Sequence, residues 1–168
     1  MSRRALLLLQ QSRFDLAEQE LRKSLAEDPE EAVAHALLAF CLGQQDRLQE
    51  ADGSARQAIA LAPDEPYCHY ALGWISLQRK DLKTARQAVE QAIRLDPEKS
   101  DYHGLHALIY LQGQRWREAL DAANEGLTHD PANQECLNHR ATALVRLGRH
   151  EDAHQTIGQA LQEDPENA

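Results

Sequence analysis

Residues 67–97 read YCHYALGWISLQRKDLKTARQAVEQAIRLDP, and the reading of this stretch decides the fold. Tyr67 to Gln78 is apolar at most positions, with Leu72, Ile75 and Leu77 on the inner side. A polar corner follows, Arg79-Lys80-Asp81. Between Leu82 and Leu95 the apolar residues Ala85, Val89, Ala92 and Ile93 return at steps of three and four, the period of a helix with one buried face. Asp96-Pro97 ends the run, because proline has no N–H for the helix ladder and biases its predecessor toward extended backbone. The stretch therefore predicts two helices joined by a tight corner. Strict apolar/polar alternation is absent throughout the chain, so no strand is expected.

The same layout recurs outward in both directions. Pro29, Pro63, Pro97, Pro131 and Pro165 are each 34 residues apart, and Ala17, Ala51, Ala85, Ala119 and Ala153 keep the same interval. A period of this length predicts an all-α stack of small units in which each unit buries its apolar face against its neighbours. The expected organisation is one array over residues 1–168, with units at about 1–31 (truncated), 32–65, 66–99, 100–133 and 134–168. The alanine column has a steric reading: where two helices of a pair cross closely, a larger side chain would force the backbones apart. A second column, Phe14, Leu48, Leu82, Trp116 and His150, opens each second helix and should fill the gap between stacked units.

This pattern resembles the tetratricopeptide repeat, whose signature is W-x2-L-G-x2-Y…A-x3-F…P. The third unit carries His69, Leu72, Gly73, Ser76, Ala85, Val89 and Pro97 at those places, and the fourth His103, His106, Ala107, Tyr110, Ala119, Ala123 and Pro131. The second and fifth units match similarly, and the first keeps Ala5, Leu8, Ala17, Leu21 and Pro29. Two departures stand out: no unit has the opening tryptophan, and Arg140 sits where leucine is usual, which predicts looser packing of the last pair. The resemblance implies a right-handed α-solenoid of antiparallel helix pairs. Its first helices would line a concave groove that holds partner peptides.

Composition excludes several alternatives. The net charge is −9 with no basic stripe, so nucleic acid is not an expected partner. Only the third unit is basic, through Arg79, Lys80, Lys83, Arg86, Arg94 and Lys99, and a solvated helix face explains that charge. Arg3 and Arg4 precede an apolar run from Ala5 to Leu9 that is too short for a secretory leader. No segment approaches the ~20 apolar residues of a membrane span. Cys41, Cys68 and Cys136 are odd in number and far apart, which suggests core-filling thiols in a reducing, cytoplasmic setting. His35, His69 and His103 form a column, but helices pack about 8–10 Å apart while zinc needs nitrogens at about 2 Å. They read as packing residues in the tryptophan slot. Cys136 with His139, and His103 with His106, are at most half of a metal site. No catalytic or cofactor motif is found, so neither enzymatic activity nor a metal or cofactor is expected.

Applying the groove assignment implied by the resemblance gives the candidate partner-binding residues: Phe40, Gln44, Tyr67, Tyr70, Trp74, Leu77, Gln78, Leu108, Leu111 and Gln112. Four of the chain's eight aromatic residues (two Phe, two Trp, four Tyr) fall in this set, in two adjacent units. Tryptophan and tyrosine are favoured anchors, and glutamine can both donate to and accept from an extended peptide backbone. Some members of the family grip a terminal carboxylate with Lys, Asn and Arg on these helices. The matching places here hold Ser2, Ala36, Tyr70, Gly104 and Asn138, then Leu6, Phe40, Trp74, Leu108 and Thr142, without the basic residues. The expected partner is a protein or peptide with an apolar or amphipathic segment. Two alternatives remain: a structural module that self-associates end to end, or the recruiting arm of a larger enzyme or membrane-anchored protein.

Overall fold

A computed structural model describes residues 3–163; Ser2 and Pro165 lie outside the described residues. The described residues form helices joined by short turns, with no strand. In chain order the helices are α1 Arg3–Gln10, α2 Phe14–Glu27, α3 Ala32–Gln44, α4 Leu48–Leu61, α5 Pro66–Gln78, α6 Leu82–Leu95, α7 Ser100–Gln112, α8 Trp116–His129, α9 Gln134–Arg146 and α10 His150–Glu163. They pair consecutively, as the period predicts, into an all-α helical repeat solenoid. The chain divides into two compact units, one up to Leu95 and one from Asp96.

In the first unit, α1 packs on α2, α3 on α4 and α5 on α6, while α2 packs on α3, α4 on α5, and α3 directly on α5. In the second unit α7 pairs with α8 and α9 with α10, and α9 also contacts both α7 and α8. This arrangement explains the sequence pattern. Helices α3 and α5 lie between neighbours and bury residues on several sides, such as Leu38, Cys41 and Leu42, or Leu72, Ile75 and Leu77. Helix α6 buries only Ala85, Ala88, Val89 and Ala92, all on one side.

The alanine column is at most 2% exposed at Ala17, Ala51, Ala85, Ala119 and Ala153. Ala85 faces the small residue of the partner helix. A Cβ placed on Gly73 would come within 2.5 Å of Val89 Cγ2 and 3.3 Å of the Ala85 carbonyl oxygen. Two small residues set this crossing distance.

Each corner between paired helices is a left-handed stop. Ser12, Asp46, Lys80, Gln114 and Gly148 have φ of 56°, 60°, 62°, 58° and 75°, again at 34-residue spacing. The residue after each donates back across the corner: Arg13 to Leu8, Arg47 to Leu42, Asp81 to Ser76, Arg115 to Tyr110 and Arg149 to Leu144, all at 2.9 Å. These bonds satisfy carbonyls that the helix end would otherwise leave unpaired. Asp81 then caps α6 by accepting from the Thr84 N–H at 3.0 Å. The sequence reading placed the corners but missed their shared backbone conformation. Only one of the five residues is glycine.

The histidines sit in the tryptophan slot and do more than fill it. The Nε2 atoms of His35, His69 and His103 lie 3.0, 2.7 and 2.8 Å from the carbonyls of Pro29, Pro63 and Pro97. A carbonyl only accepts, so each ring carries its proton on Nε2. Each histidine thus ties its helix to the proline turn that precedes it.

Candidate partner-binding face

In the first unit the candidate side chains stand on α3 and α5. Phe14, Phe40 and Trp74 form a row: Phe14 meets Phe40 edge-on at 6.1 Å, and Phe40 meets Trp74 at 4.8 Å. Trp74 is half-buried and rests on Gly43 of the preceding pair. A Cβ at Gly43 would lie 2.5 Å from Trp74 Cζ3 and 2.7 Å from Ile75 Cδ1. Gly43 is therefore the seat of the indole, a role the sequence reading missed. The signal was a glycine in a column otherwise held by Leu9, Leu77, Leu111 and Val145.

Tyr67 and Tyr70 stack at 5.9 Å. Tyr67 also packs against the buried residues Ala36 and Cys68, and burial pushes its phenol up to about 12. It stays neutral at physiological pH. Tyr70 is half-buried. Leu77 departs from the expectation: it is 3% exposed, so it belongs to the interior and not to an open face. Gln44 and Gln78 are exposed, as the helix-end position dictates.

In the second unit the same columns carry less. Leu108 and Leu111 are half-buried and Gln112 is exposed. Leu111 packs with Tyr110 against Ala119 and Leu144.

Burial raises the Glu18 carboxyl, but hydrogen bonds from Gln45, Arg22 and Arg47 outweigh it and hold the group below the ordinary glutamate range. Asp52 behaves alike: desolvation raises it, and Arg56 and Arg79 bring it down. Arg79 pairs with Asp52 at 2.6 Å and Arg86 with Glu90 at 3.9 Å, so part of the basic charge of the third unit is matched by carboxylates of the chain itself.

Arg140 keeps a polar link where the pattern has leucine. Its Nε donates to Thr156 Oγ1 at 3.1 Å and its Nη2 to Gln159 Oε1 at 2.9 Å, both on α10.

The thiols of Cys41, Cys68 and Cys136 are buried and form no disulfide. Burial pushes Cys41 to about 12 and Cys68 to about 11, and raises Cys136 as well, which keeps all three protonated and unreactive. Among the described residues, no three His, Cys, Asp or Glu side chains converge as metal ligands. None of the described helices is long and apolar enough to cross a membrane.

Comparison with known proteins agrees with this architecture. TTC0263 of Thermus thermophilus, described as a thermophilic TPR protein, superposes with a TM-score of 0.89 at 19% identity, over 98% of this chain and 90% of its own. PilF of Pseudomonas aeruginosa gives a TM-score of 0.83 at 25% identity, over 95% of this chain and 72% of its own. YrrB, described as a TPR protein with an unusual peptide-binding site, gives 0.68 at 17% identity, over 96% and 84%. No curated protein sequence matches the chain. The profile of the Tetratricopeptide repeat family matches residues 8–53, 45–109 and 110–168. With the proline and alanine columns, the paired helices and that match, the chain belongs to the tetratricopeptide repeat family.

Proposed function

We propose that this protein–protein interaction module binds an apolar or amphipathic partner segment on the α3–α5 face, with Tyr70 and the open side of Trp74 as anchors and Gln44 and Gln78 beside them. The observation that carries the reading is the clustering of half-exposed rings on two adjacent helices, Phe40, Tyr67, Tyr70 and Trp74, in a chain with eight aromatic residues. The peptide-binding site of the similarly folded YrrB supports the choice of ligand class. Leu108, Leu111 and Gln112 form the equivalent, weaker face of the second unit. The reading is non-catalytic, and the three buried thiols suit a reducing, cytoplasmic compartment.

Trp74 has two roles here, so the variants must separate them. Tyr70→Ala should leave the helical circular dichroism at the parent level. It should also weaken binding of peptides selected on the parent chain by about tenfold or more, as loss of a hot-spot ring does. Unchanged affinity in Tyr70→Ala would remove this face from the interaction. A second reading, end-to-end self-association, is favoured by one observation. Ile157 is 44% exposed, while Leu21, Ala55, Val89 and Ala123 of its column are fully buried.

A further inference from the structure

The junctions between successive pairs in the first unit are closed by a carboxylate. Glu18 of α2 accepts from Gln45 Nε2 and Arg47 Nη1 at 2.9 Å, both from the next pair's corner. Thirty-four residues on, Asp52 of α4 pairs with Arg79 Nη1 of the following corner at 2.6 Å. In the second unit the α8 member of this column is Leu120. Glu18 and Leu120 are each 8% exposed, so the place is equally enclosed but the carboxylate is gone.

The cationic side of the junction persists. Arg149, in the column of Arg47, stands at the corner between α9 and α10, where Asp152 pairs with it at 2.6 Å. Arg140 adds a second guanidinium at a place where Leu38 and Leu72 are buried apolar residues of their own pairs. Its two hydrogen bonds go to neutral groups, Thr156 and Gln159, and among the described residues no carboxylate pairs with it. A guanidinium cannot shed its charge, so a half-buried one without a counter-charge is a standing cost. Three of its five N–H donors remain. Arg140 lines an open cleft of about 300 Å³ whose apolar wall is Leu120 and Leu144 and whose lining also includes Asn124, Gln155, Arg149 and Asp152, the last already paired with Arg149.

We propose that the cleft between α8, α9 and α10 binds a carboxylate supplied by a partner, with Arg140 as its principal donor. The external group takes the place that Glu18 and Asp52 fill in the first unit. The planar fork of arginine matches a carboxylate in two parallel hydrogen bonds, and the leucine wall suits a carboxylate on an apolar stem. A glutamate side chain and a chain terminus both present that chemistry.

The test follows the backbone N–H signals of Thr156 and Gln159 in the 15N-labelled full chain. The probes are N-acetylleucine, for a terminal carboxylate, and an end-blocked glutamate, for a side-chain carboxylate. Inorganic phosphate at matched ionic strength is the control. At least one carboxylate probe should give a saturable shift, and the one that does identifies the source. Arg140→Leu, which restores the apolar residue of the column, should weaken that binding more than about tenfold. Leu120→Glu, which supplies the carboxylate from within, should abolish it and raise the melting temperature. The proposal is overturned by no saturable shift from either probe, by equal shifts in Arg140→Leu, or by phosphate acting as strongly as the carboxylates. None of these outcomes depends on Tyr70, so they are separable from a failure of the α3–α5 face.

Discussion

Gly43 shows how one missing Cβ can organise a face. The indole of Trp74 occupies the space that a side chain at position 43 would need, and Phe40 closes in from the side. Interior packing leaves little room for such an intrusion. Gly43→Ala should therefore cost about 1–3 kcal/mol by overpacking, and it should shift the fluorescence of Trp74 as the ring is pushed outward. A melting temperature and an emission maximum identical to the parent would mean that the ring is not seated there. The contrast with Gly53 is useful: a Cβ there would meet nothing within 4 Å.

At the scale of the element, two devices repeat with the helices. The corners use left-handed residues whatever their side chain, because the reverse bond from the following residue holds the backbone there. Lysine and glutamine accept a conformation that glycine takes without steric cost. The second device is the acidic contact from one second helix to the next corner. Glu18 binds Arg22 on its own helix and Gln45 and Arg47 on the next pair. Its carboxyl is held below the ordinary glutamate value of 4.5 in the folded chain. A depressed carboxyl contributes stability above its unfolded pKa, and that contribution is lost as pH falls through the folded value. Glu18→Gln should thus cost about 1–3 kcal/mol at neutral pH, and the difference from the parent should vanish in acid below the carboxylate range. Denaturation curves at several pH values check this; a deficit that persists undiminished in acid would mean that packing, not charge, is what the substitution removes.

Within each compact unit of the molecule, a helix contacts its own partner and helices of the adjoining pair, so stability there is close to a sum of pairs and junctions. On α10 Ile157 and Leu161 are exposed large apolar residues, whereas Leu21, Ala55, Val89 and Ala123, at the place of Ile157 in the other pairs, are fully buried. If that face joins a second copy, the mass seen by light scattering will rise with concentration above 18.9 kDa, and Ile157→Glu with Leu161→Glu will return it to that value. A mass that stays constant in the parent removes the self-association reading and leaves partner binding. The net charge of −9 opposes like-with-like approach, so any growth should be stronger at high salt.

The repeat was legible in the chain because its cause is local. Proline stops a helix wherever it falls, and apolar steps of three and four need no knowledge of distant residues. Ala85 could be assigned to a close crossing for the same reason: a small residue recurring on an apolar stripe marks where a neighbouring backbone comes near. The aromatic face was legible only as a column. Whether Leu77 faces a partner or the interior is not set along its own helix; at 3% exposure it belongs to the interior, against the sequence expectation. The seat of Trp74 on Gly43, the histidine bonds to proline carbonyls and the unmatched charge of Arg140 were decided there too. Each depends on a distance between chain segments, and periodicity carries directions along one helix but no distances between two.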